Sequence, residues 1–370
     1  MAPDSRPDPL TAPETQKRDP ASKGAHIDHC LTTAVEYQKS AGWERYDFIH
    51  QALPNLDLDK IDLTTTFLGK TLRAPLMVAS MTGGVERAFQ INKRLAAAVE
   101  KHQLAMGVGS QRVGLEDKDR AYSFKIRESM PTALLFGNIG AGQLAKGWTH
   151  KECREAVKMI GADALFIHLN PIQEAAQGGD LDWTGLTEKI KAVVQELAAD
   201  GIPVVAREVG FGLSRESAVA LVATGVAAID CSGAGGTSWA KVEALCAKTP
   251  RRRKMGAAFG EWGIPTVDSI LNVRAASKDV PLIATGGLRN GIHVAMALAL
   301  GADVAAMARP FLVAADKGEA ALEEFIEDTL LETRIAMFGA GVGNVEDLKT
   351  RPVLRPATAP KGRDLYGPGY

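Results

Sequence analysis

Amides, hydroxyls, two arginines, a histidine and two carboxylates recur in this chain just after short apolar runs, each time beside glycine. The strings are Ser80-Met81-Thr82-Gly83-Gly84, Gly109-Ser110-Gln111-Arg112, Gly137-Asn138-Ile139-Gly140, His168-Leu169-Asn170-Pro171-Ile172-Gln173-Glu174, Arg207-Glu208-Val209-Gly210-Phe211-Gly212 and Ser232-Gly233-Ala234-Gly235-Gly236-Thr237. One such string is a turn after a strand, because helix packing also favours small residues there. Six in phase with a strand repeat point to one shared bowl. A further pair closes the pattern: Thr285-Gly286-Gly287-Leu288-Arg289-Asn290-Gly291, then Ala306-Met307-Ala308-Arg309-Pro310-Phe311. There, peptide N–H groups freed by glycines and by a helix start can converge on a phosphate without competing side chains.

Amides and hydroxyls (Asn138, Asn170, Gln173, Thr82, Ser110, Thr237) with cations (Arg112, Arg207) suit a planar ring that needs donors and acceptors along one edge and positive charge near a nitrogen that becomes anionic on reduction. With the phosphate cup beside them, FMN is favoured over a sugar phosphate. For Arg207 the competing reading is an ion pair within the sheet, to Glu208 or a neighbouring strand.

These residues need elements to aim them. Apolar runs at 76–79, 105–108, 133–136, 164–169, 204–209, 227–229, 282–284 and 304–307 read as eight strands. Amphipathic stretches at 88–102, 150–160, 186–199, 214–223, 292–300 and 319–338 read as helices between and after them. Alternation of this kind argues for parallel pairing with right-handed crossovers, and thus for an α/β fold, a (β/α)8 TIM barrel with an N-terminal extension. A barrel gathers the C-terminal ends of its strands into one rim, and its last two loops build a phosphate site. A doubly wound sheet is the alternative, weakened by the lack of G-x-G-x-x-G after the first strand. The segments 26–31 and 43–53 read as short helices, 63–72 as a hairpin able to plug the barrel floor, and 232–266 as a long loop able to act as a lid.

The chain has 370 residues, with 46% hydrophobic and 24% charged residues and a net charge of -1, values of an ordinary globular protein. That balance disfavours nucleic acid, and the basic run 251–254 reads as a solvated loop. Four scattered cysteines without a C-x-x-C pair disfavour a disulfide framework or zinc, with a cytoplasmic location as the default. No apolar run reaches the ~18 residues a membrane span needs. Residues 1–22 read as a disordered tail, 23–345 as a single FMN-binding barrel domain and 346–370 as a C-terminal tail.

Taken in order, the strings from Met81-Thr82-Gly83-Gly84 to Ser232–Thr237, extended by Ser238-Trp239 and by Trp262-Gly263-Ile264-Pro265-Thr266, resemble the type 2, FMN-dependent isopentenyl diphosphate isomerases over residues 23–338. The resemblance implies a reaction interconverting isopentenyl and dimethylallyl diphosphate. It implies that Ser80, Met81, Thr82, Gly83, Ser110, Asn138, Thr237, Gly286, Gly287, Ala308 and Arg309 hold FMN, with Arg207 beside the flavin. Lys23, His26, Gln111 and Arg112 are implied to hold the diphosphate, Gln173 to lie by the hydrocarbon, and Glu174 to take Mg2+, a metal that prefers oxygen ligands. Gln173, His168 and Asn170 are the catalytic candidates.

In such an enzyme reduced FMN serves as an acid/base with no net redox change, NADPH being its reductant, and the chain assembles as a tetramer or octamer. Two positions depart from the family: Ser22-Lys23 stands for the usual Arg-Lys, and Arg207 for the usual Lys. A planar fork is not a compact ammonium, so flavin electronics differ at Arg207. An FMN-dependent 2-hydroxyacid oxidase or dehydrogenase is the competing enzyme, disfavoured because its usual His-Gly pair is missing. A non-catalytic prenyl-diphosphate or flavin binding protein is the competing non-enzyme.

Overall fold

The computed structural model describes residues 21–179 and 181–357. Eight parallel strands close into a barrel: β1 (Leu76–Val78), β2 (Ala105–Gly107), β3 (Leu134–Gly140), β4 (Ala164–Leu169), β5 (Val204–Glu208), β6 (Ala228–Asp230), β7 (Leu282–Thr285) and β8 (Val304–Met307). Each strand pairs with its sequence neighbour, and β8 returns to β1 with Ala305 opposite Leu76. The order follows from right-handed crossovers, which lay each helix outside the sheet and the next strand beside the last.

Side-chain alternation divides the core in two. In β1 Met77 points into the barrel while Leu76 and Val78 point outward to the helices. The inner cluster holds Phe136 stacked on Phe166 at 4.5 Å between centroids, so the barrel is a packed core under the bowl. Its floor is the expected hairpin. Thr65–Phe67 and Lys70–Leu72 pair antiparallel, and Phe67 and Leu72 join the inner cluster with Ala105, Leu134 and Val304 at strand starts.

The helices follow their apolar stripes and caps. Thr149 and Glu152 form a capping box at the start of His150–Ile160, and Gly161 ends it in the left-handed region at φ 62°. Ser214 caps Arg215–Ala223 by accepting the Ser217 N–H.

Five expectations need correction. Residues 43–53 are one 3-10 turn (Trp43–Arg45) and a strand (Tyr46–Phe48) that pairs antiparallel with Leu354–Pro356. That partner lies some three hundred residues away, beyond any local pattern. The presumed C-terminal tail therefore begins too early: helix Val345–Thr350 buries Leu348, and Val353 is buried as well. The segment 232–266 is no open loop, since it holds helices Trp239–Cys246 and Pro250–Ala258, followed by Thr266–Ala276. The basic run 251–254 accordingly lies on a helix, although Arg251, Arg253 and Lys254 are exposed as expected. At the other end, residues 1–20 of the presumed tail lie outside the described residues, and 21–22 open the helix Ala21–Leu31.

Candidate active site

The C-terminal ends of all eight strands open onto one cavity of about 230 Å3. Ser80 to Gly83, Ser110, Arg112, Asn138, His168, Asn170, Gln173, Glu174, Arg207, Thr237, Gly286, Gly287, Ala308, Arg309 and His26 all line it. The sequence strings are thus brought together. One assignment is not. Gln111 is fully buried below the rim, donating to the Ala156 carbonyl and accepting the Asn138 N–H, both at 2.8 Å. Its amide ties the helix His150–Ile160 to the end of β3 and lies outside the cavity lining. Lys23 falls in the first turn of helix Ala21–Leu31, its side chain outside what the structure describes.

On one wall Asn138 is held rigidly. Its Nδ2 donates to the Val108 carbonyl at 3.1 Å, which leaves its Oδ1 to accept the His168 Nδ1–H at 2.8 Å. That bond assigns the His168 tautomer. Arg207 is buried in the floor, its Nε 3.4 Å from Asp230 on the adjacent strand and its guanidinium over the Phe166 ring at 5.3 Å. Arg207 thus forms an ion pair within the sheet and also lines the cavity. The pair is not with Glu208, whose Oε2 accepts four consecutive N–H groups, from Val209 to Gly212, at 2.5 to 3.1 Å. Burial pushes the Glu208 carboxyl up to about 8 against the pull of those donors. Burial likewise raises the Asp230 carboxyl, with the Arg207 charge opposing it.

The second wall is an amide and carboxylate network. Asn170 Nδ2 donates to Gln173 Oε1 and to Glu174 Oε1, both at 3.1 Å. Gln173 Nε2 donates to Glu243 at 2.8 Å, and Gln177 Nε2 donates to the same oxygen at 2.7 Å. His26 approaches that oxygen at 3.8 Å and packs edge-on against Trp239 at 5.7 Å. Glu243, behind this wall, was missed in the sequence, as were Arg120 and Gln143 on the cavity wall. The only signal for Glu243 is its place four residues after Trp239, one helical turn on the same face.

The third wall is the glycine cup. Gly286 and Gly287 run at φ 105° and 70°, conformations that side chains rarely adopt. A Cβ on Gly286 would collide with the Gly233 carbonyl, and one on Gly287 would come within 2.7 Å of the Gly235 carbonyl. One expectation fails here. The helix start after this turn is already capped, Asn290 accepting the His293 N–H and Glu332 the Gly291 N–H. The other helix start, at Arg309–Lys317 after Ala308, lines the cavity, and a helix start offers peptide N–H groups to an anion.

Buried polar atoms test whether a flavin suits this bowl. Ser80 Oγ and Arg207 Nη1, both at the cavity, are buried without a hydrogen-bond partner, the state expected of groups meant for a polar ligand. Together with the glycine cup they fit a ring with a phosphate tail.

A family model described as FMN-dependent dehydrogenase matches residues 137–355. An isopentenyl-diphosphate delta-isomerase from Synechococcus sp. is 49% identical over 91% of this chain and 97% of its own length. This chain belongs to the FMN-dependent, type 2 isopentenyl-diphosphate delta-isomerase family. A Nostoc sp. protein of the same name is 47% identical over 91% of this chain and 95% of its own. Among solved structures, a lactate oxidase from Pediococcus acidilactici superposes with a TM-score of 0.62 at 17% identity, covering 90% of this chain and 95% of that one. A mutant flavocytochrome b2 with benzoylformate gives 0.62 at 17%, covering 90% and 82%. At such identities these two share the barrel with the isomerase family and nothing finer.

Proposed function

We propose that this chain interconverts isopentenyl and dimethylallyl diphosphate, a small-molecule reaction in which one proton is added to a terminal alkene carbon and another removed nearer the diphosphate. Reduced FMN, when bound, supplies the acid/base group and the electron-rich ring for that exchange. Arg207 would lie against the flavin, with Ser80, Thr82, Ser110, Asn138 and Thr237 along its edges. The cup of Gly286, Gly287, Ala308 and the Arg309 N–H would hold its phosphate.

An alkene is a very weak base, so developing positive charge must be kept from water and from nucleophiles. The wall chemistry supports this. Gln173, a neutral amide, faces the cavity, and the carboxylate of Glu243 is held behind it by two amide donors. Cys30, the thiol at the cavity, is pushed by burial up to about 12, which keeps it from acting as a nucleophile. Gln173, with its amide orientation fixed by Asn170 and Glu243, can position the reacting carbons, and His168 with Asn170 completes that side. Arg112 would supply positive charge for the diphosphate, and His26 faces the same cavity from the helix that also carries Lys23. Glu174, buried and at the cavity, supplies the carboxylate that Mg2+ requires beside diphosphate oxygens.

NADPH is the reductant in this reading, and the chain is a cytoplasmic homo-oligomer, a tetramer or octamer. Four free cysteines agree with a reducing compartment, and among the described residues no helix is long and apolar enough to cross a membrane. The observation that carries the reading is Gln173 and Glu174 side by side at the bowl, in a chain whose relatives bear the isomerase name end to end. Incubating isopentenyl diphosphate with the dithionite-reduced holoprotein and Mg2+ in D2O tests it. Deuterium in both diphosphates is expected. Unlabelled substrate would leave only a binding protein, and peroxide formed from lactate or glycolate would favour the hydroxyacid oxidase.

A further inference from the structure

Arg309 sits where two structures meet. Its backbone opens the helix Arg309–Lys317, whose first turn faces the cavity, and its N–H lies at the anion-binding end of that helix. Its side chain goes elsewhere. Nε donates to the Cys30 carbonyl at 2.9 Å, Nη2 to the Leu31 carbonyl at 3.4 Å and Nη1 to Glu36 Oε1 at 2.6 Å. Cys30 and Leu31 end the helix Ala21–Leu31, so the guanidinium covers carbonyls that a helix C-terminus leaves without partners. That same helix brings His26 to the opposite wall of the bowl, against Trp239.

Glu36 closes the arrangement. The oxygen that takes Arg309 also takes Arg289 Nη1 at 3.2 Å, from the loop that follows the glycine cup. Glu36 is pinned in turn by its backbone, which bridges to Thr237 and accepts Lys241 Nζ at 2.6 Å. One carboxylate thus joins both phosphate-side arginines to the segment that carries the N-terminal helix.

We propose that Arg309 is a positioning residue that couples the two ligands, its backbone serving the flavin phosphate while its guanidinium, shared with Glu36, fixes the helix that presents His26 to the diphosphate. This rests on the isomerase reading for the identity of the second ligand. A planar fork is needed because three acceptors in different directions are held at once, which an ammonium on a flexible stem cannot do with the same order. Coupling of this kind is reciprocal: if FMN tightens diphosphate binding, diphosphate tightens FMN by the same factor.

The test uses the full chain, with inorganic pyrophosphate plus Mg2+ as the probe of the second site. FMN affinity is measured by fluorescence quenching with and without saturating probe, and amide exchange is followed across residues 21–31. In the native protein the probe is expected to tighten FMN by roughly fivefold or more, and FMN alone to slow exchange in that helix. In Arg309→Gln the factor should fall to about one and the slowing should vanish, whatever the absolute affinities become. If that variant does not fold, Glu36→Gln should reduce the same factor. A factor of one in the native protein, or an unchanged factor in the variant, overturns the proposal. The readout needs no turnover, so failure of isomerisation with coupling intact would sink the functional reading alone.

Discussion

Glu243 holds Gln173. Its Oε1 accepts the Gln173 amide at 2.8 Å while Asn170 donates to the other end of that amide at 3.1 Å, so this cavity-lining group has one orientation. Gln173→Ala is expected to lower turnover far more than FMN affinity. Glu243→Ala, which removes a support and leaves the lining residue in place, should lower kcat by about a hundredfold, the cost of a small misplacement. Steady-state kinetics with flavin titration checks both, and an unchanged kcat in Glu243→Ala would free Gln173 from this support.

Arg207 and Asp230 form a buried pair across neighbouring strands, each side chain almost wholly enclosed. Arg207→Ala should destabilise the fold by about 3–5 kcal/mol, because the Asp230 carboxylate is left buried without its partner. Arg207→Lys keeps the charge and should be milder. Urea denaturation of the apoproteins measures the difference, and Arg207→Ala with an unshifted midpoint would show the pair to be structurally idle.

Gly286→Ala introduces a Cβ into the Gly233 carbonyl at a φ of 105°. Relief requires the cup to open. FMN affinity should fall by at least about tenfold, the equivalent of 1.4 kcal/mol and within the usual cost of such strain. Equilibrium dialysis of the purified apoprotein reads this directly; native affinity would mean that the cup is not the phosphate site.

His293 lies behind the cup, stacked on Trp43 at 5.5 Å and accepting the Arg289 N–H on Nδ1 at 3.3 Å. Burial, aided by the Arg289 charge, lowers its pKa from 6.5 to about 4. Its folded value is depressed, so between those limits the unfolded chain binds a proton that the folded chain does not. Stability contributed by this residue is full above pH 6.5 and is lost on acidification towards pH 4, by about 3 kcal/mol. The native protein minus His293→Gln, followed by urea midpoints across this range, should show that slope; a flat difference would contradict it.

The barrel was readable because strand and helix periods alternate, and because strands β4 and β8 begin and end where their apolar runs do. The rim was readable because side chains that a flavin needs follow strand ends. What escaped depends on distance. The Tyr46–Phe48 strand exists only through Leu354–Pro356, and Gln111 carries the residue type of a ligand contact while its amide is bound by two backbone groups. Glu243 looks like any helical glutamate until Gln173 and Gln177 reach it from another element.

In the proposed reaction this bowl uses reduced flavin without consuming electrons. Anaerobic holoprotein, reduced with a known number of equivalents of NADPH or dithionite and supplied with Mg2+ and excess isopentenyl diphosphate, measures it directly. Many turnovers to dimethylallyl diphosphate per equivalent, none with oxidised FMN and no further loss of NADPH, are the predicted result. Product formed in step with reductant, or formed equally with the oxidised flavin, would rule out a flavin that acts without net redox change.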